Sequence, residues 1–294
     1  MGILIRSKLF VPATRPELFA KALASAADAI SLDLEDAVPE SRKAHARAAV
    51  NSFIRTTLPA PVGKVVIVRV NRISSTHFED DVNAVAWPGL DILNLPKSES
   101  ADDVRIAAVA LAKFENERGV ERPIGILANI ESALALRRAA EIATADPRVV
   151  GLQIGFADLF EPLGIDRSDT SAVRQVQLAV RLAAGEAGIW AYDAAFTDVT
   201  DQDGYREEAY AAQRLGYMGK TCIHPNQIEL ANAVFQPNDK KVAYAVRVVE
   251  AAHEAEEKGI GVFMVDGRMI DAPFINQAKA IVGLATRLGM LSSK

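Results

Sequence analysis

The feature that most constrains this chain is an alternation. From Lys8 onward, short apolar runs rich in β-formers take turns with longer stretches of helical periodicity. The runs read KLFVP, AISLDLED, KVVIVRVN, DILNLPK, PIGILANIES, RVVGLQIGF, WAYDAAF and GKTCIH, and HPNQIELANAVF closes the series as a helix. KVVIVRVN, bounded by Gly63 and Asn71, is the clearest strand, being rich in Val and Ile. Between the runs lie amphipathic patterns such as SRKAHARAAVNSFIRTT and ADDVRIAAVALAKFENERG, while FEDDVNAVAW is a weaker one. Eight strand–helix alternations over about 230 residues predict an α/β fold, a (β/α)8 TIM barrel, in both count and length. A doubly wound open sheet is the competing architecture, but it rarely needs eight consecutive parallel strands.

After the barrel the texture changes, which divides the chain into a catalytic barrel over residues 1–236 and a C-terminal hairpin-helix extension over 237–294. QPNDKK reads as a turn, and VAYAVRVVEAAHEAEEKG as a helix closed by Gly259. GVFMVDGRMID has the Asp-Gly pair of a two-residue hairpin turn, and a last helix is expected from about Pro273 to Gly289. A closed barrel does not need this extension. It packs either on a neighbouring subunit, the favoured reading, or as a cap on its own barrel.

Composition excludes more than it assigns. Half of the 294 residues are apolar and the net charge is −5, with no long basic run, so no nucleic-acid partner is expected. No stretch approaches the roughly 18 uninterrupted apolar residues of a membrane span, so no membrane partner is expected either. MGILIRSKLFVPATRP lacks the apolar core of a signal peptide, and Gly2 lacks the Ser or Thr context of a myristoylation site. A single cysteine, Cys222, leaves no disulfide framework and no cysteine-rich zinc site. The expectation is a cytoplasmic protein.

A barrel places its chemistry at the C-terminal ends of the strands. Glu35 and Asp36 end the second run, Arg69 and Asn71 the third, Lys97 the fourth, Glu131 the fifth and Asp158 the sixth. Asp193 lies late in the seventh and His224 closes the eighth. Glu131 and Asp158 flank one helical pattern, so their strands would be parallel neighbours roughly 4.8 Å apart. A carboxylate pair without Cys or His suits a hard ion such as Mg²⁺, with substrate and water completing its shell. The blander reading makes Glu131 a helix cap and Asp158 a solvated loop acid; the full ring of charged strand ends favours the metal.

Other members of the ring also have two readings. Arg69 sits in an apolar strand, and a buried cation needs an anion. That anion is a structural Asp or a substrate carboxylate gripped by the guanidinium fork, and the substrate is favoured. Glu35 and Asp36 orient metal-bound waters or the neighbouring arginine rather than merely lead a helix. Lys97 reads as a cation behind the metal in preference to a Schiff-base lysine. His224 reads as a structural hydrogen-bonder and Cys222 as a packed core residue.

These residues carry a resemblance. RSKLFVPATRP, SLDLEDAVPESRKAHAR, VRVN, LPKSES, NIES, GFADLFEPLG, GKTCIHPNQ and GRMIDAP resemble, in order and along essentially the whole chain, the motifs of the citrate lyase β-subunit family. That family includes malyl-CoA and citramalyl-CoA lyases within the HpcH/HpaI aldolase superfamily. Two departures are Ala13, where the family usually has Gly, and NIES, where a Thr is commoner than Ser132. The resemblance implies that Glu131 and Asp158 hold Mg²⁺, that Arg69 binds the keto acid and the developing enolate oxygen, and that Glu35 and Asp36 support them from behind. It also implies that Asp271, from an adjacent subunit, is the acid/base; by itself Asp271 would read as a loop carboxylate after a hairpin.

The implied activity is Mg²⁺-dependent cleavage or formation of a 3-hydroxyacyl thioester, with a keto acid and an acyl thioester as the partners. CoA and an acyl-carrier protein both remain open as the thioester carrier. Arg15, Lys21, Arg42, Lys43 and Arg47 give the first two βα units a basic bias that would meet either. Hydrolysis of a malyl-type thioester, a β subunit active only inside a multi-subunit complex, and a pyruvate aldolase remain as alternatives. A homo-oligomer, a trimer or hexamer, is what the resemblance implies.

Overall fold

The computed structural model describes residues 4–58 and 64–291, so Gly2 and Gly63 lie outside the described residues. The chain divides into two compact units, Met1–Phe235 and Gln236–Lys294.

In the first unit eight strands run in parallel: β1 (Ser7–Pro12), β2 (Ala29–Asp33), β3 (Val65–Arg69), β4 (Ile92–Leu95), β5 (Gly125–Ile130), β6 (Val149–Ile154), β7 (Trp190–Asp193) and β8 (Gly219–Cys222). Each pairs with the next, and β1 pairs with β8, which closes the barrel. Closure removes both sheet edges, so every strand satisfies its backbone on two sides.

The interior is layered. Ile5, Ala29, Ile67, Ile92, Leu127, Tyr192 and Met218 form a dry plug around the N-terminal ends of the strands. Burying each large side chain there contributes roughly 1.5–3 kcal/mol. Further along the strands the interior turns polar: Lys8, Ser31, Asn94, Asn129 and Gln153 are all buried. Barrel interiors are ordinarily filled with Val, Ile and Leu. The main apolar core lies instead between the strands' outer faces and the surrounding helices.

Two local departures from the sequence reading have clear causes. The helical pattern after β5 breaks into Ala133–Arg137 and Ala139–Ala143. At Arg138 (φ −104°, ψ 13°) the backbone N–H is shared between the carbonyls of Leu134 and Ala135, which interrupts the α ladder. The weak FEDDVNAVAW pattern is a true helix, Phe78–Val85, that buries Phe78, Val82 and Val85.

The second unit contains a helix (Asp239–Glu257), a hairpin of β9 (Phe263–Val265) and β10 (Arg268–Ile270), and a final helix (Ala272–Arg287). Asp266 and Gly267 take φ of 50° and 76°, as a primed hairpin turn demands. Val265, Ile270, Ala245, Val248 and Ala278 form this unit's own small core. No helix among the described residues is long and apolar enough to cross a membrane.

Candidate active site

The C-terminal ends of β1, β2, β3, β5 and β6 open into a cavity of about 1320 Å³ lined by Phe10, Asp33, Asp36, Arg69, Glu131, Gln153, Gly155 and Asp158, among others. Glu131 follows β5 and Asp158 lies in the short helix Phe156–Phe160 directly after β6, the strand paired with β5. The two predicted acids therefore share one sheet edge and one cavity.

Glu131 is fixed from three sides. The backbone N–H of Lys97 donates to its Oε2 (2.8 Å) and Asn129 Nδ2 donates to its Oε1 (2.9 Å). Lys97 achieves this with φ of 49°, a left-handed conformation uncommon for a residue with a side chain. Ser132, not Glu131, caps the following helix, accepting from Ala135 N–H (3.1 Å), so the helix-cap role is not Glu131's. Gly155 closes the third side: a Cβ there would lie 2.4 Å from Glu131 Oε1 and 2.5 Å from its Cγ. Gly155→Ala is therefore expected to displace the Glu131 carboxylate and weaken Mg²⁺ affinity by roughly tenfold or more while the barrel still folds. Calorimetric titration with Mg²⁺ checks this, and unchanged affinity would mean that Glu131 is not a ligand.

Burial pushes the Glu131 carboxyl above its ordinary pKa, and the Asp158 charge adds to the shift, against the hydrogen bonds and Arg69 that oppose it. Such a pair calls for a cation. No group of three or more His, Cys, Asp or Glu placed to hold a metal exists among the described residues. The oxygens that Glu131 and Asp158 offer, with spare lone pairs on both, are of the kind that would suit a hard ion keeping water and substrate in its shell.

Arg69 corrects the sequence reading. Its anion is a structural aspartate: Nε and Nη2 grip Asp33 in a two-pronged pair (2.8 and 2.7 Å), and Nη1 lies 3.0 Å from Glu35. Sequence reasoning passed over Asp33, although its signal was present, since Asp33 and Glu35 alternate on one strand face. Burial raises the Asp33 carboxyl, but Arg69 more than offsets this and holds it below the usual carboxylate range. Arg69 also stacks on Phe10, 4.9 Å from the ring centre, so its fork cannot swing. It still lines the cavity.

Glu35 and Asp36 do contact the neighbouring cations. Lys97 Nζ lies 2.8 Å from Glu35, 3.1 Å from Asp36 and 3.7 Å from Asp158. These are ion pairs by distance, although neither Glu35 oxygen meets a donor at a good hydrogen-bond angle. Burial lifts the Glu35 pKa to about 7 despite Arg69 and Lys97. Folded Glu35 thus holds its proton more tightly than unfolded Glu35. Its contribution to stability is full below the unfolded value of 4.5 and is lost as pH rises through about 7. In EDTA, wild type should lose stability relative to Glu35→Gln across that window, by about 3 kcal/mol at most. Melting curves of both proteins against pH give the comparison; parallel curves would contradict it.

Several predicted residues stand elsewhere. Asp193 is not in the ring. It faces the outer helices, where Lys220 Nζ (2.6 Å) and Gln177 Nε2 (2.9 Å) hold it, because a one-residue step along a strand reverses the face. His224 is exposed and accepts a long bond from Asn226 N–H (3.3 Å). Cys222 is buried in the core. Arg15 is exposed, pairs with Glu17 and does not line the cavity. Of the other basic residues of the first two units, Lys43 is buried and donates to the carbonyls of Leu34 and Glu35 and to Asn71 Oδ1 (2.7 Å each). Arg47 pairs with Asp81 (2.8 Å). Neither is a free carrier-binding cation.

Asp271 belongs to the second unit and directly precedes the helix Ala272–Arg287. It stands at the N-cap position without capping, and its Oδ1 is buried with no hydrogen-bond partner among the described residues.

A closed parallel barrel with an all-oxygen acidic centre beside a clamped arginine at its C-terminal mouth defines a metal-assisted barrel aldolase or lyase. Residues 6–225 match the family HpcH/HpaI aldolase/citrate lyase, and the chain belongs to it. The citrate lyase subunit beta of Escherichia coli (strain K12) is 35% identical over 97% of this chain and 94% of its own length. The L-malyl-CoA/beta-methylmalyl-CoA lyase of Cereibacter sphaeroides (strain ATCC 17025 / ATH 2.4.3) is 34% identical, over 94% of this chain and 93% of its own. Among solved structures, the protein CitE of Mycobacterium tuberculosis in complex with magnesium, acetoacetate and coenzyme A aligns with a TM-score of 0.75 at 35% identity. That match covers 96% of this chain and 98% of the other.

Proposed function

We propose that this protein is a Mg²⁺-dependent carbon–carbon lyase that cleaves or forms a 3-hydroxyacyl thioester, giving a keto acid and an acyl thioester. The observation that carries this reading is the Glu131–Asp158 pair facing the same cavity as Arg69. Relatives named as a citrate lyase subunit and as a malyl-CoA lyase, and a neighbour crystallised with magnesium and coenzyme A, support it.

Glu131 and Asp158 would hold the ion. A bound Mg²⁺ would supply Lewis acidity toward the hydroxyl and carboxylate oxygens of the substrate. Arg69, locked by Asp33 and Phe10, offers a fixed positive charge where negative charge develops on the enolate oxygen, with no reorganisation at the moment of reaction. Glu35 and Lys97 keep the surrounding charges in place. Asp271 would return a proton to the enolate carbon in cleavage, or remove one from the thioester methyl in synthesis. The extension that bears Asp271 would deliver it from a neighbouring subunit of a homo-oligomer, a trimer or hexamer. A cytoplasmic setting suits a chain with one buried cysteine.

The test is incubation of the protein with Mg²⁺ and malyl-, citramalyl- or citryl-CoA while keto acid and free thiol are followed separately. Keto acid without free thiol, abolished by EDTA, is the expected result. Free thiol, together with keto acid or in its place, would establish hydrolysis following or replacing cleavage, and no turnover of any of the three would point to a carrier-protein substrate or a required partner subunit.

A further inference from the structure

Under Arg69 and Glu131 the barrel carries a polar group that the proposed chemistry does not use. Lys8, on β1, is fully buried inside the barrel, with its Nζ 4.6 Å from the centre of the Phe10 ring. Among the described residues its one hydrogen-bond partner is Gln153 Oε1 on β6, and it makes no ion pair with any of them. Because the amine donates to Oε1, the amide must present its Nε2 protons the other way. Gln153 lines the cavity, and its Nε2 makes no hydrogen bond among the described residues. Thr221, the neighbour of Lys8 in the β1–β8 register, also lines the cavity, and its Oγ1 is buried without a partner. Gln153 and Thr221 thus present polar groups to the cavity, with Lys8 behind them, hydrogen-bonded to Gln153.

We propose that this trio is a specificity-determining receptor for a carboxylate on the keto-acid half of the substrate, with Gln153 touching the carboxylate and Lys8 orienting Gln153 and supplying the charge. The inference rests on the lyase reading and names its substrate class: thioesters whose keto-acid fragment bears a second carboxylate. The first carboxylate belongs to the Glu131–Asp158 level. Gln153 stands one inward position below Gly155, about 7 Å along the strand. The thioester carbonyl is neutral and its carrier must leave through the mouth, so it does not call for a buried cation. Burial, reinforced by Arg69, pushes the Lys8 amine well below its ordinary pKa, so the ammonium is costly until an anion arrives.

The test compares oxaloacetate, with two carboxylates, and pyruvate, with one, binding in the presence of Mg²⁺ to wild type, Lys8→Met, Gln153→Met and the double variant. Wild type is expected to prefer oxaloacetate. Each single variant should lower the oxaloacetate-to-pyruvate affinity ratio by roughly tenfold, and the double variant by little more, since the pair acts as a unit. Lys8→Met should still fold with a cooperative melt, because methionine fills nearly the volume of the buried lysine stem. An unchanged ratio, a wild-type preference for pyruvate, or an equal loss for both keto acids together with a lowered melting temperature would overturn the receptor and leave the lyase reading standing. Wild type binding neither keto acid with Mg²⁺ would instead overturn the lyase reading itself.

Discussion

Asp158→Ala should abolish turnover, by roughly a thousandfold or more, and leave the barrel folded. Its side chain is 40% exposed and its recorded ion contact is a long one, 3.7 Å to Lys97, so the substitution removes little that holds the fold. Exposed substitutions of this kind usually fall within about 0.5 kcal/mol. If Asp158 holds the metal, loss of activity should coincide with loss of Mg²⁺ binding by calorimetry, at an unchanged melting temperature in EDTA. Glu131→Ala is a poorer test. It strips a buried carboxylate from the Lys97 N–H and Asn129 Nδ2 and opens a gap beside Gly155, so its effects on fold and metal are confounded. Full activity of Asp158→Ala with the same Mg²⁺ dependence would remove Asp158 from the site.

Asp271→Asn should cut turnover by roughly 10²–10⁴-fold while Mg²⁺ and keto-acid affinities hold. Asn is nearly isosteric and an equally good N-cap, so the helix Ala272–Arg287 should be as stable as before. What disappears is an ionisable oxygen that is buried and uncommitted. The same variant tests assembly. If Asp271 works across a subunit interface, co-expression of Asp271→Asn with Asp158→Ala should restore part of the activity, because some sites then combine an intact metal centre with an intact Asp271. Two inactive variants that stay inactive together would place Asp271 on its own barrel, and light scattering would give the subunit number. Undiminished turnover in Asp271→Asn would exclude it from the mechanism.

The barrel, the hairpin at Asp266–Gly267 and the placement of Glu131 and Asp158 at one sheet edge were legible in the sequence alone. Each of these is encoded locally: strand and crossover lengths, a dipeptide with the required positive φ, and two acids each placed just after an apolar run. Which way a side chain faces, and what meets it across the barrel, is not local. Asp33 and Asp193 both end strands, yet one clamps Arg69 inside the barrel while the other turns outward to Lys220. Lys43 and Arg47 have the look of a solvated helix face, but their partners lie on a loop and a helix brought close only by folding. Glu131, seen as a strand-end acid, owes its orientation to a left-handed Lys97 and a missing Cβ at Gly155, neither adjacent to it in the chain. The polar trio under the site joins β1, β6 and β8, distant in sequence and facing one another only when the barrel closes. Periodicity fixed what each segment becomes, whereas the charges of a site act through distances that closure alone sets.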